Sequence, residues 1–140
     1  MMLPQSIKDD LDELANWLRW AEMVEVGDRT WRCKDPCQLD RLCPLLKKLN
    51  LYERGFLFSL LKTAGRTKII KDYRRKNLVI PLSGHATICG HHLKPGMCIY
   101  LTRHEVVEGN LDFLMVSMPE DVSEIDIRIK TACVGGCMLD

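Results

Sequence analysis

The spacing of apolar residues changes once along the chain, near residue 76, and this change constrains the fold more than any other feature. Before it, apolar residues recur every three or four positions; after Asn77 they alternate with polar residues. The first spacing is typical of amphipathic helices and the second of strands with one solvated face. The sequence therefore predicts an α+β protein with two parts, a helical N-terminal half with one β-hairpin at residues 1–76 and a small antiparallel β half at residues 77–140.

The first three elements of the helical half have clear signals. A capped amphipathic helix is expected at about residues 7–21, and two short alternating runs predict a β-hairpin over residues 23–33. A second helix should start at Asp35 and Pro36, which form a favourable N-terminal pair. Pro44 is expected to break or kink this helix, because its ring removes a backbone donor.

Two further helices are predicted after residue 50. Over residues 51–64 the apolar residues Phe56, Leu57, Leu60 and Leu61 recur at helical spacing, and Gly65 would end that helix in the left-handed conformation. Thr67 would then cap a short last helix. The segment from Leu51 to Tyr73, with an apolar helix, Gly-Arg and a second short apolar helix, resembles the closing helices of death-effector-type bundles. This resemblance implies an adaptor that acts by homotypic contact.

The β half predicts a small barrel or half-open sandwich. Pro81 indicates a sheet edge or a strand end, and Lys94–Gly96 and Glu108–Asn110 are expected to form turns. With about 64 residues this half is marginal for independent folding, so a single core shared by both halves is the alternative. Strands are predicted at residues 78–82, 86–89, 97–102, 111–118 and 125–131.

The charges are divided between the two halves. The whole chain has a formal net charge of +1, which excludes a uniformly basic or acidic polymer-binding chain. Residues 1–76 contain 16 Lys and Arg against 11 Asp and Glu, a net charge of +5, whereas residues 77–140 contain 4 against 8, a net charge of −4. This opposition favours recognition by electrostatic complementarity.

The basic excess is densest at residues 62–76, where Asp72 is the single acid. Such a segment could neutralise several phosphates, and its tyrosine could stack on a base. The alternative is a solvated or protein-binding helix face. The predicted partner-binding or nucleic-acid-binding residues are Lys62, Arg66, Lys68, Lys71, Tyr73, Arg74, Arg75 and Lys76.

A group of metal-ligating residue types predicts a structural zinc site. His85, Cys89, His91, His92 and Cys98 lie within fourteen residues, and thiolate and imidazole ligands suit tetrahedral zinc. No Cys-x2-Cys pair occurs, so buried thiols and surface histidines are the alternative. The first four ligand candidates are Cys89, His91, Cys98 and Cys133.

The chain has seven cysteines, an odd number, and no secretory signal. These features favour a reducing, cytoplasmic location in which most of the cysteines are buried free thiols. No apolar run approaches the length that a membrane span requires. Phosphate-loop, nucleophile-elbow and helical zinc-protease motifs are also absent from the sequence.

These observations together predict a non-catalytic intracellular interaction or regulatory protein. Its partner would be another protein, bound through the basic helical half and the acidic β half. The alternative is a nucleic-acid-binding regulator that uses the 62–76 segment, with or without zinc. The two oppositely charged halves could also recognise each other between copies, so a homo-oligomer is a further expectation.

Overall fold

The computed structural model of the protein describes residues 5–69, 72–88 and 90–121. Within these ranges the chain forms two helices and eight strands. In chain order they are α1 (Gln5–Leu18), β1 (Met23–Gly27), β2 (Thr30–Cys33), α2 (Gln38–Lys48), β3 (Leu57–Thr63), β4 (Arg66–Ile69), β5 (Arg75–Ile88), β6 (His91–Leu93), β7 (Ile99–Leu101) and β8 (Glu105–Pro119).

The first helix and the hairpin confirm the sequence prediction. Helix α1 buries one stripe of side chains that includes Leu11, Leu14 and Leu18, as its helical spacing requires. Strands β1 and β2 pair antiparallel from Met23 opposite Cys33 to Gly27 opposite Thr30. The hairpin is therefore closed by a tight turn at Asp28 and Arg29.

Helix α2 begins slightly later than predicted and is not broken by its proline. The backbone N–H of Cys37 donates a hydrogen bond of 2.9 Å to Oδ1 of Asp35, so the aspartate still precedes and supports the helix start. Pro44 lies inside the helix on an exposed face, while Leu42, Leu45 and Leu46 are buried. The buried face holds α2 together across a position that lacks one backbone donor.

The two helices predicted between residues 51 and 73 are wrong, and so is the description of the N-terminal part as a helical half. Residues 57–63 form strand β3, between β2 and β8, and residues 66–69 form β4. Gly65 does adopt a positive φ of 67°, but it lies in the connection between these two strands. The resemblance of this segment to death-effector helices is therefore overturned.

The eight strands belong to one antiparallel sheet whose centre is β8. Its strand order is β1-β2-β3-β8-β5-β6, with β4 also pairing β8 and β7 also pairing β5. Strand β8 is 15 residues long and runs through Glu108–Asn110, where a turn was predicted. Gly109 has a φ of 126°, so this glycine serves a special backbone conformation within a strand.

Strand β5 is also continuous, although the sequence predicted two strands with Pro81 at an edge or end. It pairs with β8 from Arg75 to Thr87, and a bulge shifts the register between Pro81 and Ser83. On its other side β5 pairs β7 at residues 77–79 and β6 at residues 86–88. Pro81 lies in the gap between those two partners, which is where a missing backbone donor is tolerated.

Two hydrophobic clusters occupy the two sides of this sheet. The helix-side cluster packs α1 and α2 against residues such as Leu60, Leu78 and Leu114. The far-side cluster contains Ile69, Val79, Ala86, Ile88, Leu93, Ile99, Leu101, Val107, Leu111 and Phe113, which come from strands β4 to β8. The far-side cluster is therefore formed by apolar side chains of strands, and neither helix contributes to it.

The helix-side cluster includes residues from both sides of position 76, among them Leu46 and Val116. The division of the chain into units 1–76 and 77–140 stays a prediction. The predicted turn at Lys94–Gly96 is present, with the N–H of Met97 donating to the carbonyl of Lys94. The strand predicted at residues 125–131 lies outside the described residues.

Candidate functional site

A polar hollow lies between strands β5, β6 and β8, and no residue of α1 or α2 lines it. It has a volume of about 370 Å³ and is open to solvent. Its walls come from the second half of β5, from β6 and from the first half of β8. The lining residues are Gly84, His85, Ala86, Thr87, His92, Glu108, Gly109 and Asn110.

The bulge in β5 determines which side chains face this hollow. Before the bulge, even-numbered residues such as Leu78 and Ile80 face the helices. After it, the odd-numbered His85 and Thr87 are exposed, while Ala86 is buried in the far-side cluster. A single extra residue therefore moves His85 and Thr87 to the helix side, since a one-residue shift exchanges the two faces of a strand.

The β5–β6 hairpin brings a second histidine to the first. Thr87 pairs with His92 across the hairpin, and the rings of His85 and His92 stack with their centroids 5.3 Å apart at an interplanar angle of 29°. Both rings are exposed on the floor of the hollow. Imidazoles can donate, accept and transfer protons, so this pair is the reactive feature of the site.

Two glycines allow β5 and β8 to approach closely at the hollow. A Cβ on Gly84 would lie 2.2 Å from the backbone oxygen of Asn110, and one on Gly109 would lie 2.7 Å from that of His85. Both glycines have positive φ values. Larger residues would push the two strands apart and widen the hollow.

Strand β8 contributes an acid and an amide whose partners fix their orientation. Nη1 of Arg66 donates to Oε1 of Glu108 at 2.6 Å, in an ion pair between exposed side chains. Oδ1 of Asn110 accepts a hydrogen bond of 3.2 Å from the backbone N–H of Gly65. The amide oxygen of Asn110 is thus engaged, which leaves its NH₂ group as the available donor.

A second carboxylate beside the hollow is also partnered. The hydroxyl of Ser83 donates to Oδ2 of Asp112 at 2.8 Å, and Nζ of Lys62 lies 4.0 Å from Oδ1 of the same side chain. Asp112 is therefore oriented toward β3 and the bulge of β5.

The described residues do not form the predicted zinc site. Among residues 5–69, 72–88 and 90–121 no group of three or more His, Cys, Asp or Glu is placed to hold a metal ion. His91 is exposed on β6, and Cys98 is buried and disulfide-bonded, so it offers no thiolate. Cys89 and Cys133 lie outside the described residues. The zinc hypothesis is therefore not supported.

The predicted basic segment is divided among several elements instead of forming one helix face. Lys62 lies on β3, Arg66 and Lys68 on β4, Tyr73 and Arg74 in a turn, and Arg75 and Lys76 on β5; Lys71 is outside the described residues. Nε of Arg75 donates to the hydroxyl of Ser117 at 2.7 Å. Arg66 and Arg75 therefore bind groups of the protein itself, and a role of the set in binding a partner stays a prediction.

His85 and His92 were predicted as part of a group of metal-ligating residues that includes cysteines, and not as a pair of imidazoles. The signal that would have paired them is the hairpin itself, which places residues 87 and 92 opposite each other. Glu108 and Asn110 were missed because Gly109 between them was interpreted as the centre of a turn.

A second, smaller cleft of about 180 Å³ lies between α1 and α2. The guanidinium of Arg41 lies 5.8 Å from the ring centroid of Trp17 in its wall, and Nζ of Lys48 binds Asp10 at 2.7 Å. Arg41 thus lies over an aromatic ring, and Asp10 is ion-paired. Neither helix, within the part of the chain that the structure describes, is long and apolar enough to cross a membrane.

No protein-family model and no curated protein matches the sequence. Solved structures match at low identity. The complex of SigE with the anti-sigma ChrR from Rhodobacter sphaeroides matches with a TM-score of 0.51 and 12% identity, over 76% of this chain and 54% of that chain. The polyketide cyclase RemF from Streptomyces resistomycificus matches with a TM-score of 0.47, 16% identity, and 80% and 87% coverage. An RmlC-like cupin from Shewanella frigidimarina matches with a TM-score of 0.48, 11% identity, and 74% and 87% coverage.

This chain thus spans about half of the matched chain in the SigE–ChrR structure, and at this identity the likeness concerns the fold alone. The predictions of a non-catalytic regulatory or adaptor protein and of a nucleic-acid-binding regulator are nevertheless contradicted. The helix face on which both predictions depended is replaced by strands β3 and β4 of the sheet.

Proposed function

We propose that the protein binds a small polar molecule in the hollow between β5, β6 and β8, and that His85 and His92 contact it. The observation that carries this proposal is the stacked imidazole pair, with centroids 5.3 Å apart, on the floor of a hollow of about 370 Å³. A volume of this order suits a metabolite-sized molecule, since ligand pockets typically measure about 300–1,000 Å³.

The site supplies the groups that proton-transfer chemistry needs. An imidazole can act as general acid or base when it lies within hydrogen-bond reach of the bound molecule. Thr87 and Asn110 flank the pair and would orient the ligand by hydrogen bonds. If the protein is an enzyme, its reaction is one in which a proton is moved to or from the substrate.

Protein-observed NMR titrations with a panel of small sugars, carboxylic acids and amides test this proposal. Binding molecules should shift the ring signals of both histidines, and His85→Ala should weaken their binding about tenfold or more, the effect of losing one good hydrogen bond. Arg41→Ala, which alters the smaller cleft between the helices, is the matched control and should leave binding unchanged.

The proposal fails if panel members bind equally well to the wild type and to His85→Ala. It also fails if Arg41→Ala, and not His85→Ala, abolishes the response, because the ligand would then occupy the cleft between α1 and α2.

A further inference from the structure

We infer that the hollow recognises its ligand through a carboxylate group, held between the histidine pair and the amide of Asn110. The inference rests on the proposed function and names the ligand class of the same site. It follows from a comparison of the donors and acceptors that the hollow still offers once its internal bonds are counted.

One side-chain oxygen of each of three residues at the hollow is engaged by the protein. Oε1 of Glu108 accepts the 2.6 Å hydrogen bond from Arg66, and Oδ1 of Asn110 accepts that from the N–H of Gly65. The carboxylate of Asp112, at the margin, accepts from Ser83. At these three oxygens a donor of the ligand would have to compete with a bond within the protein.

The donors remain available to a ligand. The NH₂ group of Asn110 is the free end of an amide whose oxygen is fixed, and each imidazole carries at least one N–H. The hydroxyl of Thr87 is exposed beside them. The guanidinium of Arg66 adds a positive charge beside Glu108. This charge offsets the negative charge of Glu108 and disfavours a cationic ligand.

The register of the strands brings these donors within reach of a single carboxylate group of a ligand. His85 and Asn110 are directly opposite each other in the β5–β8 ladder, and Thr87 is opposite both Glu108 and His92. Side chains of directly opposed residues have Cβ atoms about 5 Å apart. A carboxylate between them can accept from Asn110 with one oxygen and from an imidazole with the other, and charge-assisted bonds of this kind are the strong ones.

The test compares two probes of nearly equal shape, succinate and its neutral diamide succinamide. Titration of the wild-type protein with succinate should shift the ring signals of His85 and His92 and reach saturation. Succinamide should bind at least about tenfold more weakly than succinate, since it lacks the charge that strengthens each hydrogen bond.

Asn110→Asp is the variant designed for this site. Its carboxylate can still accept from the N–H of Gly65, so the contact between β8 and the β3–β4 connection is kept. It replaces the donor by a negative charge, and succinate binding should fall about tenfold or more. Arg41→Gln, in the other cleft, is the control and should bind succinate as the wild type does.

The outcomes separate the two proposals. If succinamide binds as tightly as succinate, or if Asn110→Asp binds succinate unchanged, the hollow is a binding site but the carboxylate inference is wrong. If neither probe shifts the signals of His85 and His92, the carboxylate inference is overturned. If the panel of sugars, acids and amides gives no shift either, the proposed function falls with it.

Discussion

The thiol of Cys33, at the end of β2, is 2% exposed and packs in the helix-side cluster. Burial raises its pKa, and the negative charges of Asp35 and Glu22 act in the same direction, against a hydrogen bond from the backbone of Asp35 that lowers it. The folded protein therefore holds this proton more tightly than the unfolded chain does.

A thiol with a raised pKa contributes stability that is intact below its ordinary pKa and is lost as the pH rises through its folded-state pKa. We expect the free energy of unfolding to decline in this alkaline range, by at most about 1.4 kcal/mol per pH unit for this group. Urea denaturation of the wild type and of Cys33→Ala at a series of alkaline pH values measures this decline. The free energy of unfolding of the variant should fall less steeply with pH. An equally shallow decline in Cys37→Ala, whose thiol is exposed, would contradict this assignment.

Gly109 is the residue whose backbone most directly shapes the hollow. With a φ of 126°, alanine there would be strained, and its Cβ would approach the carbonyl oxygen of His85 to 2.7 Å. We expect Gly109→Ala to lower the free energy of unfolding by about 1–3 kcal/mol or more and to alter the His85 and His92 ring signals.

Gly90→Ala is the matched control, because Gly90 has a φ of 75° but no atom lies within 4 Å of its added Cβ. It should show the cost of backbone strain alone. If both variants lose the same stability and keep the same histidine signals, the close approach of β5 and β8 at Gly109 does not shape the site.

At the scale of elements, helix α2 contains a proline that its neighbours tolerate. Pro44 deprives the carbonyl of Asp40 of its usual helical donor, and the ring is exposed. Alanine would restore the bond but would give the unfolded chain more freedom, which offsets up to about 1 kcal/mol of a gain of about 3 kcal/mol. Pro44→Ala should therefore stabilise the protein by about 2 kcal/mol in urea denaturation. A loss of stability would mean that packing of the ring in the cleft between α1 and α2 outweighs the missing bond.

The elements that sequence patterns predicted correctly have a simple local signal. Helix α1 buries one stripe of side chains at helical spacing, and the β1–β2 hairpin has two short strands on either side of a turn after Gly27. Strand β3 lacks such a signal, because Leu60 packs in the helix-side cluster and Leu61 against the far-side cluster. The adjacent apolar residues Leu60 and Leu61, with Leu57 three positions before Leu60, imitate helical spacing, so periodicity alone could not identify this strand.

The candidate site could not be predicted from the sequence for a related reason. Its residues are set by a bulge at Leu82 and by a glycine inside β8, and both features interrupt the alternation on which strand prediction depends. Gly109 indicated a local peculiarity of the backbone, yet a turn and a kinked strand use glycine alike. Only the pairing of β5 with β8 and β6 shows that His85, His92 and Asn110 lie together.

At the scale of the whole molecule, one sheet links the two hydrophobic clusters. Neighbouring residues of β8 supply both: Phe113 packs in the far-side cluster and Leu114 in the helix-side cluster, and each is at most 1% exposed. Since a strand cannot lose one face without loosening the other, the helices and the far side of the sheet should unfold together.

Phe113→Ala tests this coupling, because it removes a side chain from the cluster that the helices do not touch. We expect a loss of about 3–5 kcal/mol, the usual cost of truncating a buried phenylalanine. The helix signal in far-ultraviolet circular dichroism and the ring signals of His85 and His92 should then be lost at the same, lower denaturant concentration. A helix transition that keeps the wild-type midpoint while the histidine signals are lost earlier would show two units that unfold independently, as the division near residue 76 predicts. Coincident transitions would instead mean that the hollow, built on β5 and β8, takes its rigidity from both clusters.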